Sequence, residues 1–331
     1  MKKPSNIGGQ AVMEGIMMRH KDKYAVGVRR PDQGIEVKIE DYKSVFGKSE
    51  ILKKPIIRGV VSFIDSLVVG TKCLMYSAEI AADEEDEDEA KKNEQLSEEE
   101  LARKKRKEDK MFKVLLYVTV AISVLISVGA FMFLPYFLAS LIRKVGASEV
   151  LVTVLEAFVK LALFMLYMYL ISRTKDIQRT FMYHGAEHKC INCVESGMPL
   201  TVENVMKSSR QHKRCGTSFL FLVMFVSIIL HFVFVFVPVY WGRLLGRLLM
   251  VPVVAGISFE IIQWAGRKDN KFADIVSKPG MAMQKLTTKE PTADMAEVAI
   301  KAVEAVFDWK NYLKEEFGYV ETEGADSDET K

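Results

Sequence analysis

Between Tyr183 and Cys193 the chain reads YHGAEHKCINC, two histidines, one glutamate and two cysteines within eleven residues. His184, Glu187 and His188 form the pattern H-x-x-E-H. On a helix, residues four apart lie about 6 Å apart along the axis and about 40° around it, so both imidazoles lie on one face. Such a pair can converge on one divalent ion, Zn2+ being the natural choice, at about 2.0–2.1 Å. Glu187 shares that face and is the candidate catalytic residue, a general base toward a water activated by the ion, as in inverted-motif zinc peptidases. Gly185 weakens the helix that this geometry needs.

A catalytic centre also needs a third ligand and an open position. Glu260, in GISFEIIQW, is the preferred third ligand because an ionisable group within apolar sequence needs a partner. His212 and Cys215, in HKRCG, compete for the same role. A second possibility is a closed structural site made by His184, His188, Cys193 and Cys215, with His212 as substitute, which would hold the chain together and catalyse nothing. A third is that no ion binds. Cys190 and Cys193 match half of a zinc ribbon, but the second C-x-x-C is missing.

The elements around this motif are written in apolar blocks. Four stretches reach the roughly 20 apolar residues that cross about 30 Å of hydrocarbon: Val114–Ile142, Val150–Ser172, Gly216–Tyr240 and Leu244–Trp264. They are apolar on every face, as a membrane span is, and buried core helices of a soluble protein fit them poorly. Gly129 and Pro135 are expected kink points in the first. RKKRKEDK precedes the first span and eight Lys/Arg lie between Arg173 and Cys215, whereas the other two inter-span links carry two each. By the positive-inside rule this predicts a multi-pass protein of the plasma membrane with both termini and the H-x-x-E-H motif in the cytoplasm. There, reducing conditions favour metal binding or catalysis over disulfides.

The predicted fold is mainly α, a four-span transmembrane bundle with a small N-terminal region and a cytoplasmic His/Cys-containing helical loop. Residues 1–82 form the N-terminal region. It holds a Met/Gly-rich segment, a β-hairpin of Tyr24–Val28 and Gly34–Ile39 turning through RRPDQG, and an interfacial amphipathic helix over Ile56–Ala82 that lies on the membrane or docks on the spans. Residues 83–110 read as a charged, disordered linker. Residues 111–172 and 216–264 are transmembrane hairpins flanking the 173–215 loop, and 265–331 holds a helix near Thr292–Leu313 and an acidic tail. The stretch IGGQAVMEGIMMRH (Ile7–His20) is expected as a loop, packed among the spans or offering methionines to another hydrophobic segment.

Composition narrows the function classes. Among 331 residues the net charge is only +3, because acidic and basic runs cancel, and four unevenly placed cysteines make no disulfide framework. No apolar run follows the basic start MKKPSNIGGQ, so a cleavable signal peptide is not expected. The basic run Arg103–Lys110 lacks interleaved aromatics, and no specific nucleic-acid binding is expected. Glu156 and Lys160 are expected to pair within the second span, and His231 to hydrogen-bond between helices.

Taken in order, GGQAVMEGIMMR, YHGAEHK, PLTVENV, H-x-RCGTSF and LTTKEP resemble the YqhQ-like family of bacterial multi-pass membrane proteins from about Ile7 to Ala305. That family is a domain of unknown function provisionally labelled a predicted metal-dependent enzyme. The resemblance implies a site drawn from Glu14, His184, Glu187, His188, His212 and Cys215. Two functions are therefore carried forward. One is an integral-membrane, metal-dependent enzyme, with hydrolysis as the expected chemistry, at the cytoplasmic interface. The other is an accessory factor for membrane-protein assembly or translocation, whose partners beyond the bilayer would be a hydrophobic client or the translocation machinery.

Overall fold

The computed structural model describes residues 3–47, 49–82, 97–236, 240–267 and 270–320. It is mainly helical with one small antiparallel sheet, and it divides into two compact units.

The first unit comprises Met1–Ala81, Ser172–Val223 and Pro252–Lys331. Its sheet has four strands in sequential order: β1 (Gly8–Val12), β2 (Gly15–His20), β3 (Lys23–Arg29) and β4 (Ile35–Asp41). The expected hairpin is present as β3–β4. The expected loop at Ile7–His20 is instead the hairpin β1–β2, with Val12 opposite Gly15 and Glu14 in the turn at φ +47°. Its apolar residues escape the usual half-buried pattern because both faces of β2 are covered. Ile16 and Met18 join the core made with Tyr183, Ala186 and Val298, while Met17 joins Val12, Tyr24, Val69 and Cys73. Successive side chains of a strand point to opposite faces, so a strand buried on both sides loses the alternation that would reveal it.

Helix α1 (Ile57–Ala81) supplies Val69 and Cys73 to that second core. Its Asp65 is buried and accepts from Tyr42 Oη at 2.8 Å and from the Val45 N–H at 2.9 Å. The apolar stripe predicted over Ile56–Ala82 thus docks on the sheet as well as on helical neighbours. Where it crosses α9 (Val251–Arg267), a Cβ at Gly59 would stand 2.8 Å from Phe259 Cβ, so glycine sets the close approach.

The second unit comprises Ala82–Ile171 and Met224–Val251. Helix α2 (Glu98–Val128) starts at a capping box, in which Ser97 and Glu100 satisfy each other's backbone N–H. The half of the charged linker beyond Ser97 is therefore helical, since capping and strong helix formers outweigh its charge; residues 83–96 lie outside the described residues. A π-helical turn, Gly129–Phe133, joins α2 to α3 (Leu134–Arg143) just before Pro135. Proline removes an N–H and crowds the preceding turn, the physical cause of the expected kink.

Among the described residues, four helices are long and apolar enough to cross a membrane: Ile57–Ala81, Lys110–Arg143, Glu149–Ile171 and Gly216–Phe234. The last three match the first three expected spans. The expected fourth is broken at Met250 into Trp241–Leu249 and Val251–Arg267, which pass the same test only as a pair. The cause is local: Arg243 and Arg247 occupy the first half, and Pro252 starts the second.

Those arginines revise the polar pairing inside the second unit. Arg247 of α8 (Tyr240–Leu249) pairs with Glu156 of α4 (Glu149–Ile171) and stacks 4.8 Å from the Tyr136 ring centre. Arg243 pairs with Glu149. Lys160, expected on Glu156, instead reaches His231 Nδ1 at 3.3 Å, so His231 is the interhelical hydrogen bonder it was expected to be. Glu156 and Arg247 are both buried, and breaking such a pair strands a charge. Glu156→Gln should therefore destabilise the protein by about 3 kcal/mol. In thermal unfolding in detergent, the double variant with Arg247→Gln should lose clearly less than the sum of the single losses; strictly additive losses would deny the pairing.

Candidate metal centre

Helix α5 (Lys175–Glu195) carries the opening motif, and from Tyr183 to Glu195 it is almost entirely buried. Its neighbours come from the chain's far end. Helix α10 (Lys271–Thr287) is followed by Thr288–Pro291, and the Lys289 N–H donates to Phe181 O at 2.8 Å. A Cβ on Gly185 would lie 2.0 Å from Lys289 O. The glycine that weakens the helix as a sequence is what lets this segment lie against it.

Close approach has a chemical consequence. His184 Nδ1 donates to the Thr287 carbonyl at 2.8 Å, and His188 Nδ1 donates to the Arg210 carbonyl at 2.7 Å. Each backbone acceptor fixes one ring tautomer and turns Nε2 inward. Between the rings sits Cys215, whose Sγ is 3.2 Å from His184 Nε2. His184, His188 and Cys215 offer donor atoms that all lie within 4.8 Å of one another. The Arg210 carbonyl is itself held in place: Asn192 Nδ2 donates to Ser209 O at 2.6 Å and to Gln211 O at 2.9 Å.

Charge in this cluster follows from the contacts. Burial alone would push the Cys215 thiol up, but the two histidines beside it pull it well below its usual range. Burial alone would lower His184, yet Cys215 and Glu187 hold it up at about 9. Both shifts have one cause, the 3.2 Å approach of Cys215 Sγ to His184 Nε2, which favours the thiolate form of the sulfur. The soft sulfur and two imidazoles are a zinc-type donor set.

Glu187, one residue before His188, lies against β1 while still within electrostatic reach of both histidines. It is 5% exposed, and Gly9 donates its backbone N–H to the carboxyl. A Cβ at Gly9 would come within 2.9 Å of Glu187 Cδ, so only glycine leaves room. Glu187 Oε2 is buried with no hydrogen-bond partner among the described residues. Burial raises its carboxyl above the ordinary value, opposed by His184 and His188. An orphaned oxygen beside a three-donor cluster fits a centre that accepts a cation and its ligands.

The other candidates have different partners. Glu260, the preferred third ligand, forms a two-pronged ion pair with Arg58 and accepts the Ile56 N–H at 3.3 Å. Arg58, the second residue of α1, thus claims the carboxylate, and the third donor beside the histidines is Cys215. Cys193 Sγ donates to Pro199 O at 3.4 Å and belongs to the core, as does Cys190. His212 stands against the cluster, its ring centre 5.8 Å from that of His188, and bonds to Glu195. Glu14 pairs with Arg179 and accepts from Tyr183 Oη at 3.4 Å. Sequence reasoning missed Thr287, Arg210 and Gln284, the last of which bonds both the N–H and the carbonyl of His212. The first two act through backbone carbonyls, which no residue type reveals; the LTTKEP motif was the available signal.

Glu195 ties the wall of the site together. It accepts from Ser5 N at 2.8 Å, Ser5 Oγ at 2.9 Å, His212 and Arg214. Burial would raise this carboxyl, but the bonds from His212 and the charge of Arg214 bring it down to about 2.

Against known proteins, the chain matches the family model described as Protein of unknown function (DUF1385) over residues 54–309. It is 38% identical over 309 residues to "Uncharacterized protein YqhQ" of Bacillus subtilis (strain 168), covering 91% of this chain and 92% of that protein. No solved structure matches. The chain belongs to the DUF1385, YqhQ-like family.

Because the folded carboxyl of Glu195 titrates below the unfolded one, its stabilisation is full above about pH 4.5 and lost as pH falls toward 2. At most about 3 kcal/mol rides on it. Wild-type melting temperature should fall steeply from pH 5 to pH 3, and Glu195→Gln, less stable at pH 7, should flatten that slope. An unchanged slope would contradict the assignment.

Proposed function

We propose that this membrane protein is a metal-dependent enzyme, hydrolytic in type, built around His184, His188 and Cys215. The observation that carries the reading is the convergence of three donor atoms whose two rings are each oriented by a backbone carbonyl. His184 and His188 would hold a divalent ion through Nε2 and Cys215 through Sγ, and Zn2+ suits that set. A bound ion of this kind supplies Lewis-acid activation of an oxygen.

The chain's own groups do the rest. Glu187, its carboxyl raised by burial, would accept the proton of an attacking water at its unpartnered Oε2. Thr287 and Arg210 keep both imidazoles in the ligating tautomer. His212, bonded to Glu195, stands next to His188 as a replacement donor or an orienting group. An ion held by these three donors would be free to accept a further ligand, as an open site requires. The motif lies in the segment that the lysine and arginine distribution assigns to the cytoplasm, which would put the chemistry at the inner face of the plasma membrane.

The test is metal content of the purified protein in mild detergent, beside His184→Ala, Cys215→Ala and Glu187→Gln. About one ion per chain is expected, lost in the first two variants and kept in the third. Full metal in Cys215→Ala would remove Cys215 from the site. No metal in any sample, even after reconstitution with zinc, would overturn the enzyme reading and favour the assembly or translocation accessory factor.

A further inference from the structure

Beside His212 the first unit contains a cavity of about 290 Å³. Among the described residues, Lys3, Lys213, Arg214 and Arg267 line it, against one carboxylate, Glu195. That carboxylate is committed to Ser5, His212 and Arg214. Lys3 and Lys213 pair at the rim with Glu316 and Asp274, at 2.9 and 2.8 Å. Both rim partners are well exposed to water, and pairs of that kind contribute little and yield to a stronger anion.

The cavity's level along the chain is informative. Lys213 and Arg214 directly precede Cys215 and Gly216, where the apolar helix Gly216–Phe234 begins. Arg267 is the last residue of the apolar helix Val251–Arg267. Cationic side chains where two apolar helices end mark the layer in which lipid phosphates lie. The two ends are built to meet: a Cβ at Gly266 would stand 2.2 Å from Arg214 Cγ, so the glycine receives the arginine's stem. His212 lines this cavity and also faces His188 across 5.8 Å between ring centres.

We propose that this cavity binds the phosphate of an anionic phospholipid headgroup, and that the substrate of the neighbouring centre is a phosphate-bearing amphiphile taken from the membrane. The cavity's lipid preference stands on its own residues; its role as a substrate site rests on the metal-dependent reading above. A headgroup held there has its phosphate among Lys213, Arg214 and Arg267, and one imidazole, His212, separates it from the His184–His188–Cys215 cluster.

The experiment is native mass spectrometry of the full chain with equal phosphatidylglycerol and phosphatidylcholine, repeated for Lys213→Gln/Arg267→Gln and in the presence of inorganic phosphate. Metal content and circular dichroism are measured on the same samples. Wild type should retain phosphatidylglycerol preferentially, and the double variant, folded and with normal metal, should lose that preference by roughly 10- to 30-fold. Inorganic phosphate should displace the lipid only weakly. Equal retention of the two lipids, or a preference untouched in the folded double variant, would overturn the proposal. Binding of inorganic phosphate without any lipid preference would overturn the lipid assignment and leave a free-oxyanion site. Lipid preference in metal-free protein would sink the enzyme reading but not the lipid cavity, and metal without lipid preference the reverse. Gly266→Leu, which displaces Arg214 without removing any charge, should weaken the preference in the same direction; retention at the wild-type level would remove Arg214 from the site.

Discussion

Two imidazoles four residues apart can serve one ion only if each turns a ring nitrogen free of its proton inward, and an acceptor for each opposite N–H fixes that arrangement. Here both acceptors are backbone carbonyls, Thr287 O for His184 and Arg210 O for His188. Much of the first unit serves to place those two oxygens. The Thr288–Pro291 segment lies on α5 because residue 185 has no side chain, and the Ser208–Gln211 loop is held by Asn192 and Lys189. A carbonyl cannot move away without carrying its backbone, so the arrangement is stiffer than one built on side-chain acceptors.

The sheet has a related purpose on the other side of the motif. β1 presents a glycine and its N–H to Glu187, while Ile16 and Met18 of β2 fill the space beside Tyr183 and Ala186. Water is thereby excluded from one face of the carboxyl, which raises its proton affinity, while the histidines limit the rise. β1 and β2 are thus the floor of the candidate site. Glu14 extends that contact through Arg179, one turn before Tyr183. Removal of the sheet would expose Glu187 and leave the histidines' partners in place, so the sheet bears on the base more than on the ligands.

What could be read from the sequence follows from range. The first three apolar spans, α1, the β3–β4 hairpin and the helix carrying H-x-x-E-H were legible because each is written in local periodicity or spacing, whereas the break at Met250 in the fourth was not. β1–β2 was not, because burial on both faces erases alternation and its glycines mimic a loop. Glu260 was misplaced for a different reason. An acid in apolar sequence does require a partner, but Arg58 lies 202 residues away along the chain and nothing local identifies it. The same holds for Glu156, whose cation is Arg247 on another helix and not Lys160 four residues on. Cys215 was named among several donors; its selection over Cys193 and His212 depends on tertiary placement alone.

The measurement that bears most directly on this account is X-ray absorption at the zinc edge of the reconstituted, purified protein. The account predicts one sulfur near about 2.3 Å and two imidazole nitrogens near about 2.0 Å, with one further light-atom ligand. Loss of the sulfur shell in Cys215→Ala would complete the assignment. A shell of oxygen and nitrogen alone would contradict it, since Cys215 would then lie outside the metal centre. Two or more sulfurs would contradict it equally, because Cys190 or Cys193 would have to leave the core to close a structural site.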